Sequence, residues 1–179
     1  MKKIFPKLSI RDICLIGLLM AITALLSIFC TFRIGTIVKI PLKFVSVFVA
    51  ASIYGPIWGG ICGAVGDILN CLLAPVGPFV PQITVLEFLS GAIYGIFFLS
   101  MAKTNKGYFL KCILCALSQF ILSAFLATFI YTYWLGWFSG FWQAFIVRIG
   151  AALVNFVLQL SVLLSLKGLI LRLLKEVSK

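Results

Sequence analysis

Six apolar runs follow one another between residues 10 and 173. A helix needs about 20 apolar residues to cross the hydrocarbon core of a bilayer, and fewer where the span is broken. On that ruler the runs predict helices at about 10–31, 43–55, 57–74, 82–102, 109–133 and 141–173. Of the 179 residues, 63% are hydrophobic and 11% charged, with a mean hydropathy of +1.22. Soluble domains are about 45–50% apolar and about 25% charged. The chain is therefore read as an all-α integral membrane bundle of six transmembrane helices, a single membrane domain over 1–179. The second run is short because Tyr54-Gly55-Pro56 ends it: proline removes a backbone donor and disfavours helix at the residue before it. The turns APVGPFVPQ (74–82) and WLGWFSG (134–140) separate the third run from the fourth and the fifth from the sixth. MKKIFPKLSIR before an apolar run has the look of a signal peptide. Yet the run ends in SIFCTF, with Phe29 where cleavage needs a small residue, so it is read as the first span.

Charge orients these spans. Lys2, Lys3, Lys7 and Arg11 precede the first helix, Lys103, Lys106 and Lys111 lie between the fourth and fifth, and Lys167, Arg172, Lys175 and Lys179 close the chain. With six spans all of these fall on one side, so the positive-inside rule makes both termini cytoplasmic in a multi-pass cell-membrane protein. The formal net charge of +11 thus reports orientation at membrane edges and not nucleic-acid binding. The opposite side carries Arg33, Lys39 and Lys43, and Arg148 lies inside the sixth helix. Cysteines 14, 30, 62, 71, 112 and 115 are read as small packing residues, since no histidine completes a zinc site around Cys112 and Cys115.

Two of the four acidic residues, Asp67 and Glu87, sit inside apolar runs. A carboxylate there costs several kcal/mol unless paired or solvated, which makes it a functional-site candidate. At a rise of about 1.5 Å per residue, Asp67 and Arg148 fall about seven residues, roughly 10 Å, from the outer ends of their helices, and Glu87 about five residues, at a similar depth. Arg148, Ala152, Asn155 and Gln159 form one polar stripe on the sixth helix, and Gly59, Gly63, Asp67 and Asn70 one of small and polar groups on the third. Either Arg148 pairs with Asp67 or Glu87 as an internal salt bridge, or these residues line an outward-facing pocket for an anionic solute that also has hydrogen-bond donors. The pocket accounts for more of them. Tyr131, Tyr133, Trp134, Trp137 and Trp142 gather at its rim, as an interfacial belt or as stacking partners for a flat ring.

Several chemistries are excluded. The chain has no GxxxxGK[ST], so it has no P-loop for ATP, and no histidine for an HExxH site or a Ser-His-Asp triad. An intramembrane hydrolase using Asp67 and Glu87 remains as a rival, as does a self-assembling channel. No cofactor is called for.

The order KIPLKF, YGPIWGGICGAVGDIL, APVGPFVPQIT, LSGAIYG resembles the S components of energy-coupling factor (ECF) vitamin transporters, most of all the folate-type branch. The matching positions are Ile40, Pro41 and Phe44; Gly55, Pro56, Gly59, Gly63 and Asp67; Pro75, Gly77 and Phe79; Gly91 and Gly95. The likeness covers about residues 11–100 and extends beyond them only through hydropathy and Arg148. Lys43 before Phe44, and Glu87, depart from the pattern. The resemblance implies a six-helix subunit that captures a vitamin outside, docks on a transmembrane coupling subunit driven by two cytoplasmic ATPase subunits, and topples to release its cargo. Folate is the expected vitamin, with another anionic one such as pantothenate as the alternative. Arg33, Lys39 and Arg148 would then attract its carboxylates. Asp67 or Glu87, with Gln82 or Asn155, would accept from its ring donors, while Phe79, Trp137 and Trp142 would stack or close over it. The family's A-x-x-x-A docking face on the first helix is represented by Gly17 and Ala21, with Leu25 where a third small residue would extend it.

Overall fold

A computed structural model describes residues 9–29, 31–34, 38–73, 79–98, 107–134, 136 and 140–168. The described elements are helix α1 (Ile10–Phe29), strands β1 (Thr31–Ile34) and β2 (Val38–Pro41), then helices α2 (Phe44–Tyr54), α3 (Pro56–Leu73) and α4 (Pro81–Phe98). Helix α5 starts at Tyr108–Ile121 and runs on through two π-helical stretches, Leu122–Ala127 and Ile130–Trp134, and α6 is Phe141–Ser165. All the helices but α2 are long and apolar enough to cross a membrane, and the chain is a multi-pass membrane protein. Pro56 and Pro81 open α3 and α4, where a missing N–H costs nothing because no partner awaits it.

The first loop holds an antiparallel hairpin that hydropathy did not suggest, with Arg33 opposite Lys39 in its register. The hairpin also explains the shortness of α2. At 11 residues that helix spans about 16 Å, roughly half the hydrocarbon thickness of about 30 Å. Lys43, its N-cap residue, starts the helix two residues past the end of β2. At the other end of α2, Gly55 takes φ 96°, a left-handed value suited to glycine, and the chain reverses into Pro56.

Helices α2, α3 and α4 meet backbone to backbone. A Cβ on Gly59 or Gly91 would fall onto the other's main-chain atoms, and one on Gly95 onto Pro56. On Gly63 it would lie 2.6 Å from the Glu87 carbonyl oxygen. Small residues allow this approach, which supplies dispersion contacts where lipid removes the hydrophobic drive between helices. Helix α1 joins through Thr23, whose hydroxyl donates to the Leu19 carbonyl at 2.7 Å and touches Cys62 Sγ at 3.4 Å. Ser46 Oγ donates to the same Leu19 carbonyl from α2 at 2.8 Å.

At the end of the bundle away from the hairpin, an aromatic core ties in the last two helices. Phe48 packs edge-on against Tyr94 and Phe98, and Phe98 against Tyr108, at centroid distances of 5.7, 4.8 and 5.8 Å. Cys62, Cys112, Cys115 and Leu163 complete it, fully buried. The Tyr108 hydroxyl donates to the Leu163 carbonyl across α5 and α6. Tyr108→Phe keeps the ring and removes that bond, so thermal unfolding in detergent should show a loss of about 1 kcal/mol. No measurable loss would mean that the bond contributes nothing net.

Candidate functional site

Three charges, two of them buried, lie at the hairpin end, where α2, α3 and α4 converge. Asp67 on α3 and Glu87 on α4 face the same ammonium group. Lys43 Nζ is 2.8 Å from Glu87 Oε1 and 4.0 Å from Asp67 Oδ1. Thr84, one turn before Glu87 on α4, donates its hydroxyl to Asp67 Oδ2 at 2.9 Å. Lys43 and Asp67 are buried at 8% and 6% exposure, whereas the Glu87 side chain is 26% exposed.

Local structure dictates this convergence. Gly63 and Asp67 share one face of α3 at i, i+4, and Thr84 and Glu87 share one face of α4 at i, i+3. Because Gly63 admits the Glu87 main chain, the two helices are close enough for Thr84 to reach Asp67. The hairpin then delivers Lys43 to the depth of the acids instead of leaving it above them. An ammonium group between two carboxylates offsets part of their desolvation cost and leaves one formal negative charge.

The internal ion pair is therefore made by Lys43 and not by Arg148. Among the described residues Arg148 forms no salt bridge. Its guanidinium lies over the Tyr131 ring, 4.3 Å from the centroid, and its Nε is buried without a hydrogen-bond partner among those residues. Such a stack contributes about 0.5–2 kcal/mol. Tyr131 belongs to the second π-helical stretch of α5, and π-turns often accompany functional sites. The expected stripe on α6 is visible: Arg148, Ala152, Asn155 and Gln159 are buried or half-buried between the exposed Ile146, Val147, Leu153, Val154 and Val157.

The remaining candidates are spread more widely. Phe44 is buried in the apolar core beside Val47 and Phe48. Gln82 is half-buried in the first turn of α4, and Phe79, 53% exposed, immediately precedes that helix. Trp142 is 73% exposed and packs edge-on against Phe141 and Phe145, an arrangement suited to a membrane-facing belt. Arg33 and Lys39 are opposed in the hairpin, and β2 packs on α6. Trp137, Pro75 and Gly77 lie outside the described residues, as do residues 30, 74, 99–102 and 169–173 of the expected helices. On α1, Gly17 and Ala21 are exposed together with Leu18, Ile22 and Leu25, and a Cβ on Gly17 would meet nothing within 4 Å.

Two residues of the charged cluster were not among the expected site residues. Lys43 carried a signal, a cation against the positive-inside trend directly before an apolar helix. Thr84 carried only its i, i+3 spacing to Glu87.

Comparison with known proteins places this chain among transport proteins. The family model described as "ECF-type riboflavin transporter, S component" matches residues 7–171. A protein named Folate transporter FolT from Clostridium novyi is 33% identical over 70 residues, 39% of this chain and 41% of that relative. The FolT of Leuconostoc mesenteroides is 29% identical over 103 residues, 57% of this chain and 54% of the relative. These two matches thus span about half the length of the relatives. The FolT of Streptococcus mutans is 29% identical over 155 residues, 76% of this chain and 78% of the relative. A solved structure titled "Crystal structure of FolT bound with folic acid" superposes with a TM-score of 0.76 at 27% identity, covering 89% of this chain and 94% of that one.

Proposed function

We propose that this chain, which belongs to the S-component family of ECF-type riboflavin transporters, captures folate at its hairpin end and hands it to an ATPase-driven coupling module. As an S component it is a substrate-binding transport subunit and not an enzyme. The likeness over nearly the whole chain to a folic-acid-bound FolT carries the choice of vitamin.

The site chemistry supports a ligand with two unlike ends. The charged cluster holds one excess negative charge and takes the donor-rich edge of a flat ring. Arg148, with Arg33 and Lys39 on the hairpin beside α6, takes carboxylates through charge-assisted hydrogen bonds. Gln82 and Asn155 supply further polar contacts, and Phe79 and Trp137 cover the ring. In this reading the hairpin end faces outward and both termini are cytoplasmic. The exposed small face of α1 at Gly17 and Ala21 docks on the transmembrane coupling subunit, which two cytoplasmic ATPase subunits drive. A second reading, riboflavin as cargo, is favoured by the description of the matching family.

Purified alone in detergent, without ATP or partners, the chain should bind folic acid saturably, and mass spectrometry of freshly purified protein should release a folate. Riboflavin or pantothenate in its place would reassign the cargo within the family. Binding of no vitamin would overturn the reading.

A further inference from the structure

We propose that Glu87 selects the ring of the ligand, and that Lys43 and Asp67 are the positioning residues that aim it. The inference rests on the reading of this chain as a vitamin-capturing S component.

Two of the three charges are enclosed and the third is more accessible. Asp67 has one oxygen held by Thr84 and a side chain only 9% exposed. Lys43, 10% exposed at its side chain, stands between the acids and binds Glu87 Oε1. Glu87 is the most accessible of the three. Among the described residues its Oε2 receives no hydrogen bond and its Oε1 bonds Lys43 alone. A carboxylate accepts about four hydrogen bonds, so most of the capacity of Glu87 is unused among the described residues. Its Oε1 is fixed by an ammonium group, and its main chain is pinned against Gly63. The accessible carboxylate is therefore held in one orientation.

A fixed carboxylate in an apolar setting discriminates between ring edges. A 2-amino-4-oxopteridine presents two parallel donors, N3–H and the 2-amino group, which match the two oxygens as a fork. A 2,4-dioxo ring, as in a pteridinedione or a flavin, presents one N–H between two carbonyls, and a carbonyl oxygen facing the carboxylate is repelled. Sites built around such hydrogen bonds reject analogues that lack the donor by up to about 10⁴–10⁵-fold. The Glu87 side chain is only partly enclosed, so about 100-fold is expected here.

The test is competition against folic acid on the purified chain by pterin (2-amino-4-oxopteridine) and by lumazine (2,4-dioxopteridine). The wild type should prefer pterin by about 100-fold, and Glu87→Gln should reduce the preference below about 5-fold, because an amide offers a donor beside its acceptor. Lys43→Arg should keep the preference, since it keeps the cation that orients Glu87. A wild type that treats pterin and lumazine alike overturns the assignment without any variant, so it stays testable even if Glu87→Gln does not fold. An unchanged preference in Glu87→Gln overturns it as well. In each of these outcomes folic acid still binds, whereas a wild type that binds no folic acid overturns the functional reading itself.

Discussion

Lys43→Met should destabilise the protein by about 3–5 kcal/mol, the usual cost of removing one partner of a buried ion pair. Methionine fills a similar volume and is at home in an apolar site, so lost packing does not account for a loss of that size. The effect arises from Asp67 and Glu87, which share the ammonium at 4.0 and 2.8 Å and would face each other without it. One of them must then take up a proton or draw water into the helix contact. A double replacement separates this from a local packing defect. Lys43→Met combined with Glu87→Met removes the close pair together, and replacing both partners of a buried pair with apolar groups is often nearly neutral. The double variant should therefore be more stable than Lys43→Met alone, with a coupling of at least about 1 kcal/mol in thermal or denaturant unfolding. Strict additivity of the two single changes would mean that the charges do not depend on each other.

Gly91→Ala should destabilise the bundle by about 2 kcal/mol or more, although alanine is the better helix former by about 1 kcal/mol. The new methyl would sit 2.9 Å from Gly60 Cα and nearer still to the Gly59 carbonyl. Those are main-chain atoms, which cannot turn aside as a side chain can, so α3 and α4 must separate. Separation also draws Glu87 away from Gly63 and Thr84 away from Asp67, so ligand affinity should fall with stability. Gly150→Ala is the control: on α6 a Cβ meets nothing within 4 Å, and the helix-propensity gain of up to about 1 kcal/mol should appear. A Gly91→Ala protein as stable as the wild type would mean that the helices do not pack at this distance.

Much of this architecture was legible in the sequence because hydropathy and proline act along a single dimension. The expected spans 43–55, 57–74 and 109–133 fall within a residue of α2, α3 and α5, since Pro56 and the apolar runs mark their ends on the chain itself. Depth was legible for the same reason: a fixed rise per residue placed Asp67 and Glu87 at one level before any contact was known. What escaped was lateral arrangement. Which cation meets the two acids depends on how the helices are disposed around the bundle, and hydropathy does not encode rotation. Arg148 met another neighbour, Tyr131, while Lys43 reached the two acids just past a hairpin whose strands, TFRI and VKIP, are only four residues each. The π-helical turns of α5 left no trace in an apolar run such as ATFIYTYW, because the pitch of a helix changes without changing its hydropathy.

The glycine contact between α3 and α4 also bears on what a ligand must do on arrival. Where main chains touch directly, as at Gly59 and Gly91, no side-chain rotamers lie between the two helices to be frozen. The spacing of Asp67 and Glu87 is then a property of the scaffold. Association loses part of its gain whenever it must order loose groups, and a spacing set by main-chain contact leaves less to order.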